Sequence, residues 1–267
     1  LFAYLAAGLM NAFLPRSSIN WMRKGPAWSQ ALRGMAVGLP IPICSCGVVP
    51  LYRTLIKRGA PAAAAMAFLV STPELGLDAV FLSIPLLGLE MTGIRVAAAA
   101  LVAFLVGRLV GKYVSAAAVT DPTSEFLAEQ RAGFPTRLKK GLQVGFGELV
   151  DHTAPWIVLG VAIAAVIGSL IQPDLIAGIS GGFDVILFAL LGLPVYVCAS
   201  GATPLVAVLL FNGISPGAAL AFLLTGPATN ITTFGVLAHL HGRKTALSFS
   251  LVIIGLSIGL GYLVNGL

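Results

Sequence analysis

Charge is what this sequence has least of. Its 267 residues include 16 Lys or Arg and 10 Asp or Glu, a charged fraction of 10%, where a soluble domain carries about 25%. So few charges cannot cover a water-facing surface, which excludes an ordinary soluble protein. Cysteine is scarce too: the three present are too few for a disulfide framework and sit inside apolar segments. Walker A sequence, Gly-rich dinucleotide loop and nucleophile elbow are all missing. Nothing therefore points to ATP hydrolysis, to an enzyme or to a cofactor. The net charge of +6 is not a nucleic-acid footprint. Its Lys and Arg fall mostly between apolar runs, as expected for charges that anchor membrane loops.

Apolar sequence is what remains. The hydrophobic fraction is 58% and the mean hydropathy +0.97. Long apolar runs such as Ile94–Val106, Trp156–Ile171 and Ala246–Val264 recur, and a bilayer core is about 30 Å thick. One such run could be a signal peptide; a succession cannot. The pattern predicts an all-α polytopic membrane protein of about eight hydrophobic elements. These are Leu1–Leu14, Gln30–Ile56, Ala60–Leu89, Gly93–Val114, Thr153–Ile171, Gly182–Phe211, Ser215–Leu240 and Lys244–Leu267. Between the halves, Ser115–Lys140 is dense in charge and proline and reads as a solvated linker. Gly141–Asp151 reads as an interfacial lead-in. Residues 1–114 and 141–267 are thus expected to form two membrane halves. Leu1 in place of Met, and the shortness of the first run, lead to the expectation of further residues upstream.

The halves match each other internally. Leu39–Gly76 and Leu193–Asn230 align without a gap at an offset of 154, with 14 of 38 positions identical. The matches include Pro40/Pro194, Cys44/Cys198, Gly47/Gly201, Pro50/Pro204, Gly59/Gly213 and Pro73/Pro227. Chance pairs Ala with Ala or Leu with Leu in apolar sequence, but not Pro, Gly and Cys in register. Two tandem repeats with broken helices are therefore expected, a frequent transporter plan. The positive-inside rule leaves their orientation open. Simple alternation puts seven basic residues, Arg95 and Arg243 among them, on one face and nine on the other.

The breaks are where chemistry is expected. Pro40, Pro42, Gly47 and Pro50 interrupt an apolar element around Cys44-Ser45-Cys46. Proline removes a backbone donor and clashes with the preceding turn, so this stretch predicts an unwound segment. At membrane depth such backbone is tolerated where it is buried in protein or lines a cavity. In a helix, residues two apart project about 200° apart; in extended chain they lie on one side. An unwound segment would therefore let Cys44 and Cys46 share a ligand. Cys198 stands at the position of Cys44, beside Pro194, Gly201 and Pro204, and Ser200 stands at that of Cys46. If the breaks face each other, three sulfurs converge on a point suited to Cu(I), zinc or a thiophilic metalloid. Equally, a buried cysteine can be a small apolar residue and nothing more.

A second pair of breaks is expected at Ser71-Thr72-Pro73-Glu74 and at Thr225-Gly226-Pro227-Ala228-Thr229-Asn230. Their hydroxyls, freed carbonyls and the Asn230 amide could line a substrate path. Glu74 and Asp78, four apart, would share a helical face as proton carriers, or else pair with a nearby Arg. Glu148, Asp151 and His152 could form a proton relay or a metal entry point; an acidic start to an interfacial helix explains them at least as well. His239 and His241 adjoin Arg243 and Lys244 in an expected interfacial turn.

These motifs have a family likeness. PICSCGVVPL, the Gly59/Pro61 turn, AFLVSTPELGLD, VYVCASGATPL and SPGAALAFLLTGPATN together resemble the predicted-permease family that contains the ArsP organoarsenical exporters. The CSCG and STPE segments look closest to its copper/zinc efflux branch. The resemblance spans nearly the whole chain. It implies an inner-membrane permease exporting a thiophilic metal or metalloid, with Cys44, Cys46 and Cys198 at the substrate and Ser71, Thr72, Pro73 and Glu74 beside them.

Secondary-active efflux is the leading expectation, with one repeat moving against the other. Its rivals are a membrane thiol-disulfide oxidoreductase, a permease for a reduced sulfur compound, and a channel in which the cysteines are incidental.

Overall fold

The computed structural model describes residues 16–41, 43, 45–114, 183–193 and 198–266. Among the described residues there are ten α-helices and no strand. They are α1 (Arg16–Arg23), α2 (Ala27–Gly38), α3 (Ser45–Lys57), α4 (Ala62–Leu75), α5 (Leu77–Val114), α6 (Phe183–Leu191), α7 (Ala199–Phe211), α8 (Pro216–Ala228), α9 (Ile231–His241) and α10 (Arg243–Asn265). The first and fifth expected elements, the linker and the interfacial lead-in lie outside the described residues.

Helix ends recur at the offset seen in the sequence. Adding 154 to the bounds of α3 gives those of α7, and α4 maps onto α8 with one residue to spare. The turns match as well. Gly59 and Gly213 both hold positive φ, 78° and 89°. Behind them Ala60 N–H reaches the Leu55 carbonyl at 2.9 Å, and Ile214 N–H reaches that of Leu209 at 3.2 Å. Both are six-residue closures of the Schellman type, in which glycine accepts the left-handed position without a Cβ penalty. Gly88 (φ 82°, ψ 165°) interrupts α5, and its counterpart Gly242 (φ 87°, ψ 158°) separates α9 from α10. Residues 77–87 and 89–114 of α5 therefore correspond to α9 and α10.

This differs from the expected elements in one respect. The stretch read as one element, Ala60–Leu89, is two helices broken at Gly76, which is extended at φ −54° and ψ 140°. The turn that follows sits at Gly88, ahead of the expected boundary.

Packing places α4 and α8 at the centre. All of Ala62–Leu75 is buried, as is Gly217–Ala228 of α8. A helix that is apolar all round must be enclosed on all sides. α4 is packed by α2, α3 and α5, and α8 by α6, α7 and α10, while α4 and α8 touch each other. Small residues let these backbones meet. A Cβ on Gly107 would stand 2.8 Å from the Ala63 carbonyl oxygen, and one on Gly261 would stand 2.7 Å from that of Gly217. Such contacts are how helices associate where lipid offers no hydrophobic drive.

Among the described residues, Ala62–Val114 and Arg243–Asn265 are long and apolar enough to cross a membrane. The pair Pro216–Ala228 and Thr233–His241, bent by 52°, makes a third candidate span. A straight helix over the 53 residues of the first would be about 80 Å long. The breaks at Gly76 and Gly88 divide it into lengths a bilayer can hold. Leu247, Leu251 and Leu263 on α10 and Phe211 on α7 are exposed, as suits side chains that face lipid. The result is an all-helical frame consistent with a polytopic membrane protein.

Candidate functional site

Two helix starts carry the cysteine motifs. Cys198 is the N-cap of α7, in extended conformation, and its Sγ lies 3.5 Å from Ser200 Oγ. The helix resumes earlier than the proline pattern predicts. α3 begins at Ser45 and α7 at Ala199, so Cys46, Gly47 and Pro50 are helical in backbone, as are Gly201 and Pro204. Cys198 is extended and Ser200 helical, so this pair meets at the junction of the two rather than within an extended segment. Cys198 makes no capping hydrogen bond; its side chain meets the hydroxyl of Ser200 in the first turn instead. Pro50 and Pro204 still leave a mark. Each lacks the amide that would reach the carbonyl four residues earlier, which frees the carbonyls of Cys46 and Ser200. Pro40 lies in the exposed turn after α2, whereas Pro42, Cys44 and Pro194 lie outside the described residues.

The second breaks lie against the chain that leads to the first. A Cβ on Gly38, at the end of α2, would stand 2.6 Å from Thr72 Oγ1 and 2.7 Å from Ser71 Oγ. Gly192, its counterpart, is pressed in the same way against Thr225 Oγ1. Only a residue without a side chain permits this approach. The hydroxyls are turned to their own helices: Thr72 Oγ1 donates to the Phe68 carbonyl at 2.8 Å and Thr225 Oγ1 to that of Ala221 at 2.9 Å. Pro73 and Pro227 are buried near the ends of α4 and α8, and the chain breaks just after each. Asn230 caps α9 and accepts from Thr233 N at 2.9 Å.

Glu74 and Asp78 do not share a face. The break at Gly76 separates them, leaving Glu74 buried in α4 and Asp78 exposed at the start of α5. Glu74 faces Arg95 instead, with Oε2 3.7 Å from Nη2. Arg95 Nη1 donates to Ser83 Oγ at 2.6 Å and to Thr203 Oγ1 at 2.8 Å. Thr203 belongs to α7, so this cluster ties α5 to a helix 108 residues further along the chain. Alternation placed Arg95 on a membrane face; it is 1% exposed inside α5. His241 is half-buried, with its Nε2 2.7 Å from the buried Tyr52 hydroxyl, while His239 is exposed. Glu148, Asp151 and His152 lie outside the described residues. No group of three His, Cys, Asp or Glu side chains that could hold a metal comes together among the described residues.

Central helices broken beside proline, lined by hydroxyls and enclosed by apolar spans, are the build of a membrane permease. The chain belongs to the ArsP_1 family, described as a predicted permease, which it matches over residues 1–266. It is 23% identical to the UPF0718 protein MJ0584 of Methanocaldococcus jannaschii, covering 99% of this chain and 90% of that protein. It is also 23% identical to the UPF0718 protein YraQ of Escherichia coli, covering 98% and 74%. A Streptococcus mutans protein with the provisional name of two-component membrane permease complex subunit matches at 23% over 94% of this chain and 83% of its own length. No solved structure matches.

Proposed function

We propose that this permease exports a thiophilic metal ion or metalloid, copper, zinc or a trivalent organoarsenical, across a cell's inner membrane by secondary-active transport. Cys44, Cys46 and Cys198 would bind the cargo, with the hydroxyls of Ser71, Thr72 and Thr225 and the Asn230 amide along its path. Glu74 would couple transport to protons, with Asp78, Glu148 and Asp151 as further candidates on the way in or out.

The observation that carries this reading is the contact of Cys198 with Ser200 over the first turn of α7. Register places Cys44 and Cys46 at the same two positions relative to α3. A pair that meets as sulfur and hydroxyl in one repeat would meet as two sulfurs in the other. Helix N-termini favour thiolates, and thiolates select soft ions. Freed carbonyls at Cys46 and Ser200 would add oxygen ligands or leave the helix starts free to bend.

Uptake of Cu(I), Zn(II) and a trivalent organoarsenical into inside-out vesicles tests the proposal. Cys44→Ser, Cys46→Ser and Cys198→Ser are each expected to lower uptake of the true cargo by about tenfold or more, the scale of disturbing a metal site. Undiminished uptake by all three variants would sink the thiolate site.

A further inference from the structure

Glu74 and Arg95 are the two charged side chains that are buried among the described residues. Their 3.7 Å separation exceeds hydrogen-bond length. Among the described residues, both Glu74 oxygens, and Nε and Nη2 of Arg95, have no hydrogen-bond partner. A buried pair that served only structure would be expected to satisfy these groups. Here the carboxylate is held by charge alone, while the guanidinium spends its hydrogen bonds on Ser83 and on Thr203 of the other repeat.

The frame around the pair is symmetric; the pair is not. At the offset of 154, Ala228, Leu237 and Phe249 take the places of Glu74, Ser83 and Arg95, and all three are buried. The second repeat thus shows that the packing needs no charge here.

We infer that Glu74 is a proton-binding site and that Arg95 passes its charge state to α7 through Thr203. With Glu74 ionised, the guanidinium is retained between the carboxylate and Thr203 Oγ1. When hydronium gives its proton to Glu74, the acid becomes neutral and the cluster's charge rises from zero to one. A guanidinium buried without a counter-charge is costly, so Arg95 withdraws and frees α7. Cys198 caps that helix, five residues before Thr203. The inference rests on the proposed role of Glu74 in proton coupling, and not on which cargo is carried.

Among the described residues, no charge other than that of Arg95 is buried beside Glu74. Of the helices packed on α4, α8 carries no charged residue. Arg33 on α2 and Arg53 on α3 are half-exposed, and Asp78, Glu90, Arg108 and Lys112 on α5 are exposed. Tyr52 of α3 is engaged with His241.

The test needs no substrate. In purified protein carrying C44S and C46S, Cys198 is the only thiol, and its rate of reaction with a maleimide is measured from about pH 5 to about pH 9, the range open to a buried carboxyl. Each rate is divided by that of the same protein with Glu74→Gln, which cancels thiolate ionisation. The ratio is expected near one at the acid end. At the alkaline end it should fall about fivefold, the worth of one hydrogen bond, as α7 becomes held. Thr203→Val should abolish this dependence. Arg95→Lys, whose single ammonium cannot reproduce the fork, should weaken it, and serves if the Thr203 variant is not monodisperse. A ratio that stays flat at every pH overturns both the inference and the proton-coupling role of Glu74. A pH-dependent ratio that survives in the Thr203 and Arg95 variants overturns the inference alone.

Discussion

The hydroxyl of Tyr52 in α3 lies 2.7 Å from Nε2 of His241, the last residue of α9. The bond joins the helix that starts at one cysteine motif to the bent span of the other repeat. The rings also meet edge to face, with centroids 5.9 Å apart. At the corresponding positions, Val206 and Leu87, the second crossing has no polar atoms. Like the Glu74–Arg95 cluster, this tie is made once in a frame that repeats.

Tyr52→Phe keeps the ring contact and removes the hydrogen bond, leaving a ring nitrogen of His241 unpaired. The expected cost is about 1–2 kcal/mol, read as a lower unfolding midpoint of the detergent-purified protein. An unchanged midpoint would mean that the tie contributes nothing to the packing of the repeats.

The glycine turns make a sharper prediction, because space and backbone conformation can be separated. Nothing lies within 4 Å of a Cβ built on Gly88, Gly242 or Gly93. Gly88 and Gly242 hold positive φ, whereas Gly93 is helical. Alanine at Gly88 or Gly242 should therefore cost about 1 kcal/mol or more, while alanine at Gly93 should stabilise by about 0.5–1 kcal/mol. Midpoints for the three variants check both signs, and equal losses at all three would mean that backbone conformation is not what these turns require.

Much of this was legible in the sequence because it rests on backbone chemistry. Scarce charge implied a membrane, and Pro, Gly and Cys in register at 154 implied helix ends that recur at 154. The limits of that reading are also physical. Proline and glycine mark where a helix is weakened, not where it ends. Gly47 and Pro50 read as part of a break, yet α3 has already resumed at Ser45 and runs on through Pro50 with one amide bond lost. Glu74 and Asp78 satisfied a helical spacing that Gly76 interrupts.

The role of Arg95 is harder to read from sequence. Its partners Ser83 and Thr203 are 12 and 108 residues away in sequence, and no local pattern encodes such contacts. One signal was available: an arginine inside an apolar run, where a charge is costly and calls for a named partner.

If Cys44, Cys46 and Cys198 form one soft-ligand site, phenylarsine oxide will bridge two of their sulfurs. Two thiols displace its oxygen as water and leave a phenylarsenic bridged by two sulfurs. Intact-mass spectrometry of the purified protein, after challenge with excess monothiol, counts the adducts that survive. One phenylarsenic is expected per wild-type chain, and also in each of Cys44→Ser, Cys46→Ser and Cys198→Ser, because two of the three sulfurs remain to bridge it. No retained adduct in the wild type, or loss in both Cys44→Ser and Cys46→Ser with retention in Cys198→Ser, would contradict a site shared by all three sulfurs.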